Sequence, residues 1–357
     1  MGENKRHNRI KSRRIVWMAA AALLLIALIV AGVVRFYLGK ISRYGAEDDF
    51  HISAEQIQQM EEEAIRQDME ASIAASIAAE KWGVSQGNGN SAQDPTDAPD
   101  ESVELEGSGR DLVNILLLGI DRRSSGERGR SDTMILCTID KAGNTITMTS
   151  FLRDLYVDIP GYESNRLNAA YQIGGIKLLN KTLKENFGVE AEANIEVDFE
   201  CFKRIVDLMG GVSIFLTKAE VEYMSQVYGH EYLVPGMNHL NGDQALSYSR
   251  IRYIDSDFQR SNRQRTVLNA LLDSVRDANL SQLVTLVETI LPLVKTDMTD
   301  SQIMGYVLEF FSMLSDCRIE SQRVPLDNGY VFDEVRGMSV IRWFPNMTKN
   351  LLIKTTQ

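Results

Sequence analysis

The chain has 357 residues, of which 44% are hydrophobic, and a formal net charge of −11. This length exceeds one small domain, and the acidic balance argues against a protein that binds nucleic acid. Three cysteines and four histidines make neither a disulfide framework nor a zinc site, because no C-x-x-C pair or zinc-ligand spacing is present. Whether one pair of cysteines is bridged stays open.

The first apolar segment is long enough to cross a membrane. Residues 15–34, IVWMAAAALLLIALIVAGVV, carry no charge, and a helix of this length spans about 30 Å. Six lysines and arginines precede the segment and three follow it more sparsely, which predicts a cytoplasmic N-terminus and an extracytoplasmic remainder. A cleaved signal peptide is the alternative, but the segment is longer than a usual signal core. We expect a cytoplasmic tail over residues 1–14 and a single-pass anchor in the cell membrane over residues 15–38.

An acidic stalk or linker is expected over residues 39–109. Residues 47–106 hold sixteen acids against two basic residues. Apolar residues first recur every three to five positions, which predicts a helix with a thin apolar stripe that is suited to self-association. These residues are Ile57, Met60, Ala64, Met69, Ile73 and Ile77. Residues 83–109, rich in Gly, Asn, Asp, Pro and Ser, have little to bury and are typical of a disordered linker.

Residues 110–357 have the element order of an α/β domain. The runs LVNILLLG and TMILCTID predict buried strands, and the short turn KAGN joins the second run to TITMTSF as an antiparallel hairpin. A doubly wound dinucleotide fold would instead place a helix between consecutive strands. Amphipathic helices follow, including one over residues 166–187 ended by Gly188 and one with Asn241 as its N-cap. The sequence therefore predicts an α-β-α sandwich, with a central mixed or antiparallel sheet flanked by helices and preceded by one transmembrane helix.

Two carboxylates flank the loop between the first two predicted strands. Asp121 ends the first strand, and Asp132 begins the second, so both are expected at one edge of the sheet. Two carboxylates together with a phosphate are a usual arrangement for Mg²⁺, although the same residues also suit an ordinary solvated loop. Arg153 and Asp154 follow the third strand, and an antiparallel meander would bring them to the same edge.

A third charged cluster is RIRYIDSDFQRSNRQR, residues 250–265. Helical spacing places Arg260 and Gln264 on the apolar face, whereas Arg265 falls on a face that we expect to be solvated. Arg263 is not assigned to either face. Arg250 and Arg252 stand two residues apart, and guanidinium groups bind phosphate oxygens in pairs. Several arginines beside a carboxylate-bound cation are the composition expected for a pyrophosphate site.

Six motifs stand in the order typical of one family. They are NILLLGIDRR…RSDTMIL, TSFLRDLYVDIPGY, RLNAAYQIGG, VDFECFKRIVDLMGGV, LNGDQALSYSRIR and DFQRSNRQRTVL. Over residues 110–355 the chain resembles the LytR-CpsA-Psr family. One departure is Gln259, where the family usually has glycine. The segment before Gln259 contains two aspartates, and it is open whether Asp255 or Asp257 faces the pyrophosphate site. The spacing to Arg260 favours Asp257.

The resemblance implies an enzyme, a phosphotransferase of cell-wall biogenesis. It would use Mg²⁺ and move a glycopolymer of the teichoic acid or capsular polysaccharide type from undecaprenyl diphosphate to peptidoglycan. Asp121 and Asp132 would hold the metal. The implied catalytic residues are Arg130, Arg153, Asp257 and Arg260. The implied diphosphate-binding residues are Arg123, Arg130, Arg153, Arg250, Arg252, Arg260 and Gln264.

The identity of the general base and two other functions stay open at this point. Asp257 and Asp154 are both candidates to accept the proton of the attacking hydroxyl. A membrane-bound transcriptional attenuator would need the large domain in the cytoplasm. A polyprenyl-diphosphate-binding protein or diphosphatase would bind or hydrolyse the carrier without labelling peptidoglycan.

Overall fold

The computed structural model describes most of the chain after residue 35. The described residues are 36, 38–45, 48, 50–82, 112–121, 128–251, 254, 257–313, 316–326 and 328–345. The predicted tail, membrane span and linker, residues 1–14, 15–34 and 83–109, lie outside these ranges. Within the described residues, no helix is long and apolar enough to cross a membrane.

Short and long strands alternate with helices along the described chain. The strands are β1 (Ser42–Arg43), β2 (Leu112–Asp121), β3 (Arg130–Asp140), β4 (Thr145–Phe151), β5 (Tyr156–Val157), β6 (Asn165–Arg166), β7 (Ala193–Asp198), β8 (Val212–Leu216), β9 (Gly236–Leu240), β10 (Lys295–Thr296), β11 (Arg318–Val324), β12 (Tyr330–Val335) and β13 (Met338–Trp343). The helices are α1 (Ala54–Trp82), α2 (Leu167–Phe187), α3 (Phe199–Leu208), α4 (Lys218–Tyr228), α5 (Gly242–Ser249), α6 (Asp257–Asp277), α7 (Leu280–Ile290) and α8 (Asp300–Met313).

The central sheet is mixed, as the sequence predicts. Its seven strands lie in the order β1-β10-β7-β2-β3-β4-β11. Strands β2, β3 and β4 form the predicted antiparallel meander, whereas β7 runs parallel to β2 and β11 parallel to β4. The ends of β2, β4, β7 and β11 and the start of β3 therefore meet at one edge of the sheet.

Helices cover both faces of this sheet. On one face, Leu116 and Leu118 of β2 belong to a buried cluster with Leu179 and Leu183 of α2. On the other face, Ile115 belongs to a cluster that includes residues of α8. Alternation along β2 sends successive side chains to opposite layers, which confirms the predicted helix–sheet–helix arrangement. A third buried cluster joins the β8–β9 hairpin to α3, α4, α5 and α6.

Helix α2 ends at Gly188, as predicted, but it is kinked in the middle. Gly188 adopts φ 72° and caps the helix, whereas Gly174 and Gly175 leave helical geometry. Gly175 has φ 67°, and a Cβ at this position would lie 3.1 Å from the backbone carbonyl oxygen of Asp48. A glycine is needed here for both conformation and space, because the N-terminal segment of the chain crosses the helix at the kink.

The N-terminal segment, predicted as a stalk, packs on the domain over its described part. Strand β1 pairs with β10 at the edge of the sheet. In α1, Met60 is buried in the same core as α2, and Ile57 packs against that core. The remaining apolar stripe of α1, at Met69 and Ile73, is exposed. Only part of the stripe is therefore buried. That part packs against the domain, whereas self-association would pack it against a second helix.

Candidate functional site

A β-bulge shapes the edge of the sheet where β2 ends and β3 begins. Gly119 pairs with Thr133, and Ile120 pairs with Ser131, so Asp132 is the extra residue between them. Bulges of this kind re-aim a side chain and are common beside active sites. A Cβ on Gly119 would lie 2.9 Å from the Cβ of Thr133. The close approach of the two strands therefore depends on this glycine.

The bulge turns Asp132 toward Arg153, which follows β4. Arg153 Nη1 donates to Asp132 Oδ1 over 2.9 Å, and Arg153 Nε lies 3.3 Å from Asp154 Oδ2. The structure thus brings together three of the charged residues that the meander is expected to gather. Asp121 lies on the same edge, at the end of β2, where it pairs with Arg130 of β3.

Arg130, the first residue of β3, is held by helix α1. Its Nη1 donates to Gln67 Oε1 over 2.5 Å, and its Nη2 lies 2.9 Å from Glu63 Oε2. Neither partner is among the residues that the sequence singles out for the site. The acidic composition of residues 47–106 suggested a solvated segment, and nothing in the local pattern of α1 points to a distant arginine.

A further arginine, Arg166, belongs to the same group, and sequence reasoning missed it. Its relative exposure is 6%. Its Nη2 contacts Asp68 of α1 and donates to the carbonyl oxygen of Ser339 over 2.5 Å, and its Nε lies 3.7 Å from Asp154 Oδ1. Asp154 therefore stands between Arg153 and Arg166. The available signal was the position of Arg166 at the head of the motif RLNAAYQIGG, where a charge precedes an apolar helix.

The three arginines line one cavity between α1 and the edge of the sheet. Arg130, Arg153 and Arg166 contribute from the domain side, and Glu61, Gln67 and Asp68 contribute from α1. Three guanidinium groups facing a single cavity form a strong anion-binding arrangement.

The opening residue of the charged cluster 250–265 reaches the same edge. Arg250 ends α5, and its guanidinium lies 4.7 Å from the centre of the Phe199 ring. Phe199 directly follows β7. The last residue of β7, Asp198, pairs with Ile120 near the end of β2. Arg260 is buried, with 5% exposure, and Gln264 is partly buried. Both observations agree with the prediction that Arg260 and Gln264 lie on the apolar face of α6, which packs on the domain.

Several predicted site residues lie outside the described residues. These are Arg123, Arg252 and Asp255, while Asp257 begins α6 and its side chain is not described. Their proposed roles stay predictions.

The predicted solvent exposure of Arg265 is wrong. Arg265 is buried, and its Nη1 donates to Ser261 Oγ over 3.3 Å and to the carbonyl oxygen of Gln322 over 3.5 Å. Burial, together with the nearby Arg323, lowers the pKa of the Arg265 guanidinium. Strand β11 covers the face of α6 that was expected to be solvated, so this arginine lies against the sheet.

Arg263, left unassigned by sequence, has a structural partner. Its Nε forms an ion pair of 2.8 Å with Glu220 Oε1 of α4, and its Nη1 donates to the carbonyl oxygen of Ile251 over 3.3 Å. Both side chains of the pair are buried. Arg263 therefore fixes α6 to α4 beside the chain segment that follows Arg250.

Comparison with known proteins gives matches over most of the chain. Residues 78–349 match the model of the LytR_cpsA_psr family. The polyisoprenyl-teichoic acid--peptidoglycan teichoic acid transferase TagU of Bacillus cereus is 33% identical over 238 residues, which are 65% of this chain and 75% of that protein. The regulatory protein MsrR of Staphylococcus aureus is 34% identical over 222 residues, 61% of this chain and 66% of that protein.

A solved structure has the same fold. The LytR-CPS2A-psr family protein YwtF (TagT) with bound octaprenyl pyrophosphate lipid superimposes with a TM-score of 0.55 at 22% identity, covering 71% of this chain and 93% of that one. At this level of identity the likeness concerns the fold.

Proposed function

Because this chain belongs to the LytR_cpsA_psr family, we propose that it is a phosphotransferase that moves a diphosphate-linked glycopolymer to peptidoglycan. The observation that carries the proposal is the group of Arg130, Arg153 and Arg166 around one cavity, with Asp132 paired to Arg153 and Asp154 between Arg153 and Arg166. A diphosphate carries several negative charges, and this group offers matching guanidinium donors in fixed positions.

The names of the relatives support the nature of the donor. TagU is named as a transferase of polyisoprenyl-linked teichoic acid to peptidoglycan. The structural neighbour holds an octaprenyl pyrophosphate lipid. We propose that this chain takes a glycopolymer of the teichoic acid or capsular polysaccharide type, carried by undecaprenyl diphosphate. The donor would be presented at the outer surface of the membrane, where the predicted anchor over residues 15–38 would keep the domain.

The proposed reaction is a displacement at phosphorus. A peptidoglycan hydroxyl oxygen forms a bond to the phosphorus that bears the glycopolymer, and the bond from that phosphorus to the bridging oxygen breaks. Undecaprenyl phosphate leaves with the electron pair. Charge spreads over the phosphoryl oxygens in the transition state, so positioning and charge stabilisation supply most of the acceleration. Arg130 and Arg153 would provide that stabilisation, and buried Arg260 would support it from α6.

The proton of the attacking hydroxyl needs an acceptor. Asp154 lies 3.3 Å from Arg153 Nε and 3.7 Å from Arg166 Nε, so two cations fix its position. This arrangement suits a residue that orients the arginines. Asp257 is then the stronger candidate for the general base.

The position of Asp121 and Asp132 at one edge of the sheet supports a proposal about magnesium. Among the described residues, no group of three or more His, Cys, Asp or Glu side chains could hold a metal by itself. Mg²⁺ commonly takes one or two carboxylates and completes its shell with water and substrate phosphate oxygens. We propose that Asp121 and Asp132 hold it together with the diphosphate. When bound, the ion would supply a further positive charge beside the phosphoryl oxygens.

The test is transfer of labelled, prenyl-diphosphate-linked glycopolymer to peptidoglycan by the purified full chain in detergent. We expect Asp132→Asn to lower the rate by at least about 100-fold, as for other groups that stabilise charge in a transition state. Asp243→Asn, at an exposed carboxylate on α5, is the matched control and should transfer normally. Full transfer by Asp132→Asn would refute the assignment. Carrier hydrolysis without labelled peptidoglycan would instead identify a diphosphatase.

A further inference from the structure

Helix α1 places acidic and amide side chains against the arginines of the cavity. Glu63 lies 2.9 Å from Arg130, Gln67 accepts a hydrogen bond of 2.5 Å from the same guanidinium, and Asp68 contacts Arg166. Residues 63 and 67 are four apart, so they lie on one face of the helix. Glu61 and Asp68, seven apart, flank the same side of α1 where it contacts the domain, and Glu61, Glu63, Gln67 and Asp68 together are called the acidic face of α1 below.

Glu61 extends the same contacts beyond the arginines of the cavity. Its Oε1 accepts from Asn165 Nδ2 over 2.7 Å and from Arg336 Nη2 over 2.9 Å. The backbone amide of Ser339 also donates to Asp68 over 2.9 Å. Donors from β6, from the turn between β12 and β13, and from β13 itself therefore contact the acidic face along its length.

These contacts are of the kind that a phosphate group would make. Carboxylate and phosphate oxygens both accept charge-assisted hydrogen bonds from guanidinium groups. A diphosphate that binds Arg130 and Arg166 must compete with Glu63 and Asp68 for the same donors, and it is repelled by both carboxylates. Substrate and acidic face therefore exclude each other.

The hold of α1 on the domain is suited to reversal. In both ion pairs the α1 carboxylate is the more exposed partner, at 36% for Glu63 and 26% for Asp68, so solvent screens the pairs from the α1 side. Beyond the acidic face, Met69, Ile73 and Ile77 are exposed. The family match begins at residue 78, so nearly all of α1 precedes it and the helix is an addition to the matched domain.

We propose that α1 is a displaceable anionic cover of the substrate site, and that Arg166 joins Arg130 and Arg153 as a ligand of the diphosphate when α1 moves away. This inference rests on the proposed function, because it assigns the cavity to a diphosphate. It adds a binding residue and states what keeps the site closed before the donor arrives.

The experiment measures the affinity of the full chain in detergent for inorganic pyrophosphate by titration calorimetry. Glu63→Gln/Asp68→Asn removes two negative charges from the acidic face while keeping the shapes of the side chains. Glu62→Gln/Glu70→Gln is the matched control, since it removes two charges from exposed positions of the same helix. We expect at least about tenfold tighter binding by the first variant, about 1.4 kcal/mol, and no comparable gain by the control.

Two further measurements test the displacement of α1 and the role of Arg166 separately. Arg66 lies on the exposed side of α1, so pyrophosphate should speed tryptic cleavage after Arg66 in the unaltered chain. In the Glu63→Gln/Asp68→Asn background, Arg166→Gln should lose most of the gain in affinity, and Arg166→Lys should keep part of it. Thermal melting of each variant checks that it is folded.

The outcomes separate this inference from the proposed function. If the unaltered chain and Glu63→Gln/Asp68→Asn bind pyrophosphate with equal affinity, α1 does not cover the site. If the variant binds pyrophosphate more weakly, α1 belongs to the binding site instead. If Arg153→Gln abolishes pyrophosphate binding, the diphosphate site stands whatever α1 does. If neither the unaltered chain nor any variant binds pyrophosphate, the proposed function and the cover both fail.

Discussion

The buried ion pair between Arg263 and Glu220 yields a sharp prediction about stability. The exposed fractions of the two side chains are 5% and 9%, and their atoms lie 2.8 Å apart. Replacing Arg263 by methionine keeps the apolar stem and removes the charge, which leaves Glu220 buried without its cation. Breaking a buried pair in this way costs about 3–5 kcal/mol. We expect Arg263→Met to lower the free energy of unfolding by that amount.

A second pair in the same domain provides the control. Arg204 Nε lies 3.2 Å from Glu200 Oε1, with exposed fractions of 52% and 57%. The atoms are the same as in the buried pair, but solvent screens their charges. Arg204→Met should therefore leave the free energy of unfolding nearly unchanged. The comparison isolates the effect of burial from that of the chemical groups.

A double variant tests the cause of the loss. Glu220 Oε2 also accepts hydrogen bonds from the backbone and hydroxyl of Thr217, in the capping box of α4. Glu220→Gln removes the charge and leaves an amide oxygen that can accept these bonds. Arg263→Met/Glu220→Gln should therefore recover a large part of the stability lost by Arg263→Met alone.

Urea-induced unfolding of the full chain in detergent, followed by tryptophan fluorescence, gives the free energies. The reasoning is refuted if Arg263→Met costs no more than Arg204→Met. It is also refuted if the double variant is less stable than Arg263→Met, because the loss would then not come from an unpaired buried charge.

Two substitutions and one thiol-labelling experiment test local features of the fold. Gly119→Ala places a Cβ 2.9 Å from Thr133, so we expect about 1–3 kcal/mol of destabilisation in urea unfolding and loss of glycopolymer transfer. Gly188→Ala meets no atom within 4 Å but has φ 72°, so strain alone should cost about 1–2 kcal/mol; a neutral result would contradict the left-handed cap. Burial and the nearby Asp198 raise the pKa of Cys201 to about 12, so its thiol stays protonated and should resist thiol reagents at about pH 8 until urea unfolds the chain.

The central sheet could be predicted because its signals are local. Three apolar runs with a four-residue turn between the second and third leave few alternatives to an antiparallel meander. The start of α5 was equally local: the Asn241 side chain accepts from the Gln244 backbone, and the Gln244 side chain accepts from the Asn241 backbone. The β12–β13 hairpin was missed although Arg336 and Gly337, both with positive φ, stand at its turn.

The closure of the site by α1 could not be predicted, because its partners are distant in sequence. Arg130 lies 63 residues after Gln67, and Arg166 lies 98 residues after Asp68. An acidic helix with a thin apolar stripe is the usual pattern of a solvated helix. Only the fold places Gln67 and Asp68 beside guanidinium groups and buries Met60 in the domain.

The error on Arg265 has a specific cause in helix geometry. Sorting α6 into one apolar and one solvated face assumes that a single surface packs on the domain. In the structure, Arg263 contacts Glu220 of α4, while Arg265 reaches the carbonyl oxygen of Gln322 in β11. The solvated face of α6 is narrow and runs along Gln259, Thr266 and Asp273, so Arg265 falls outside it and its guanidinium needs internal acceptors.

The hydrogen-bond acceptors of each arginine therefore distinguish arginines that stabilise the fold from arginines that could bind substrate. Arg263 and Arg265 donate to groups inside the fold, including backbone carbonyl oxygens that no substrate can replace. Arg130, by contrast, contacts the side chains of Glu63 and Gln67 on a helix outside the central sheet. Those acceptors can be exchanged for phosphate oxygens without breaking the sheet or its core. Arg166 combines the two cases, because it keeps a backbone acceptor, the Ser339 carbonyl oxygen, and has one partner on α1, Asp68, that a phosphate could replace.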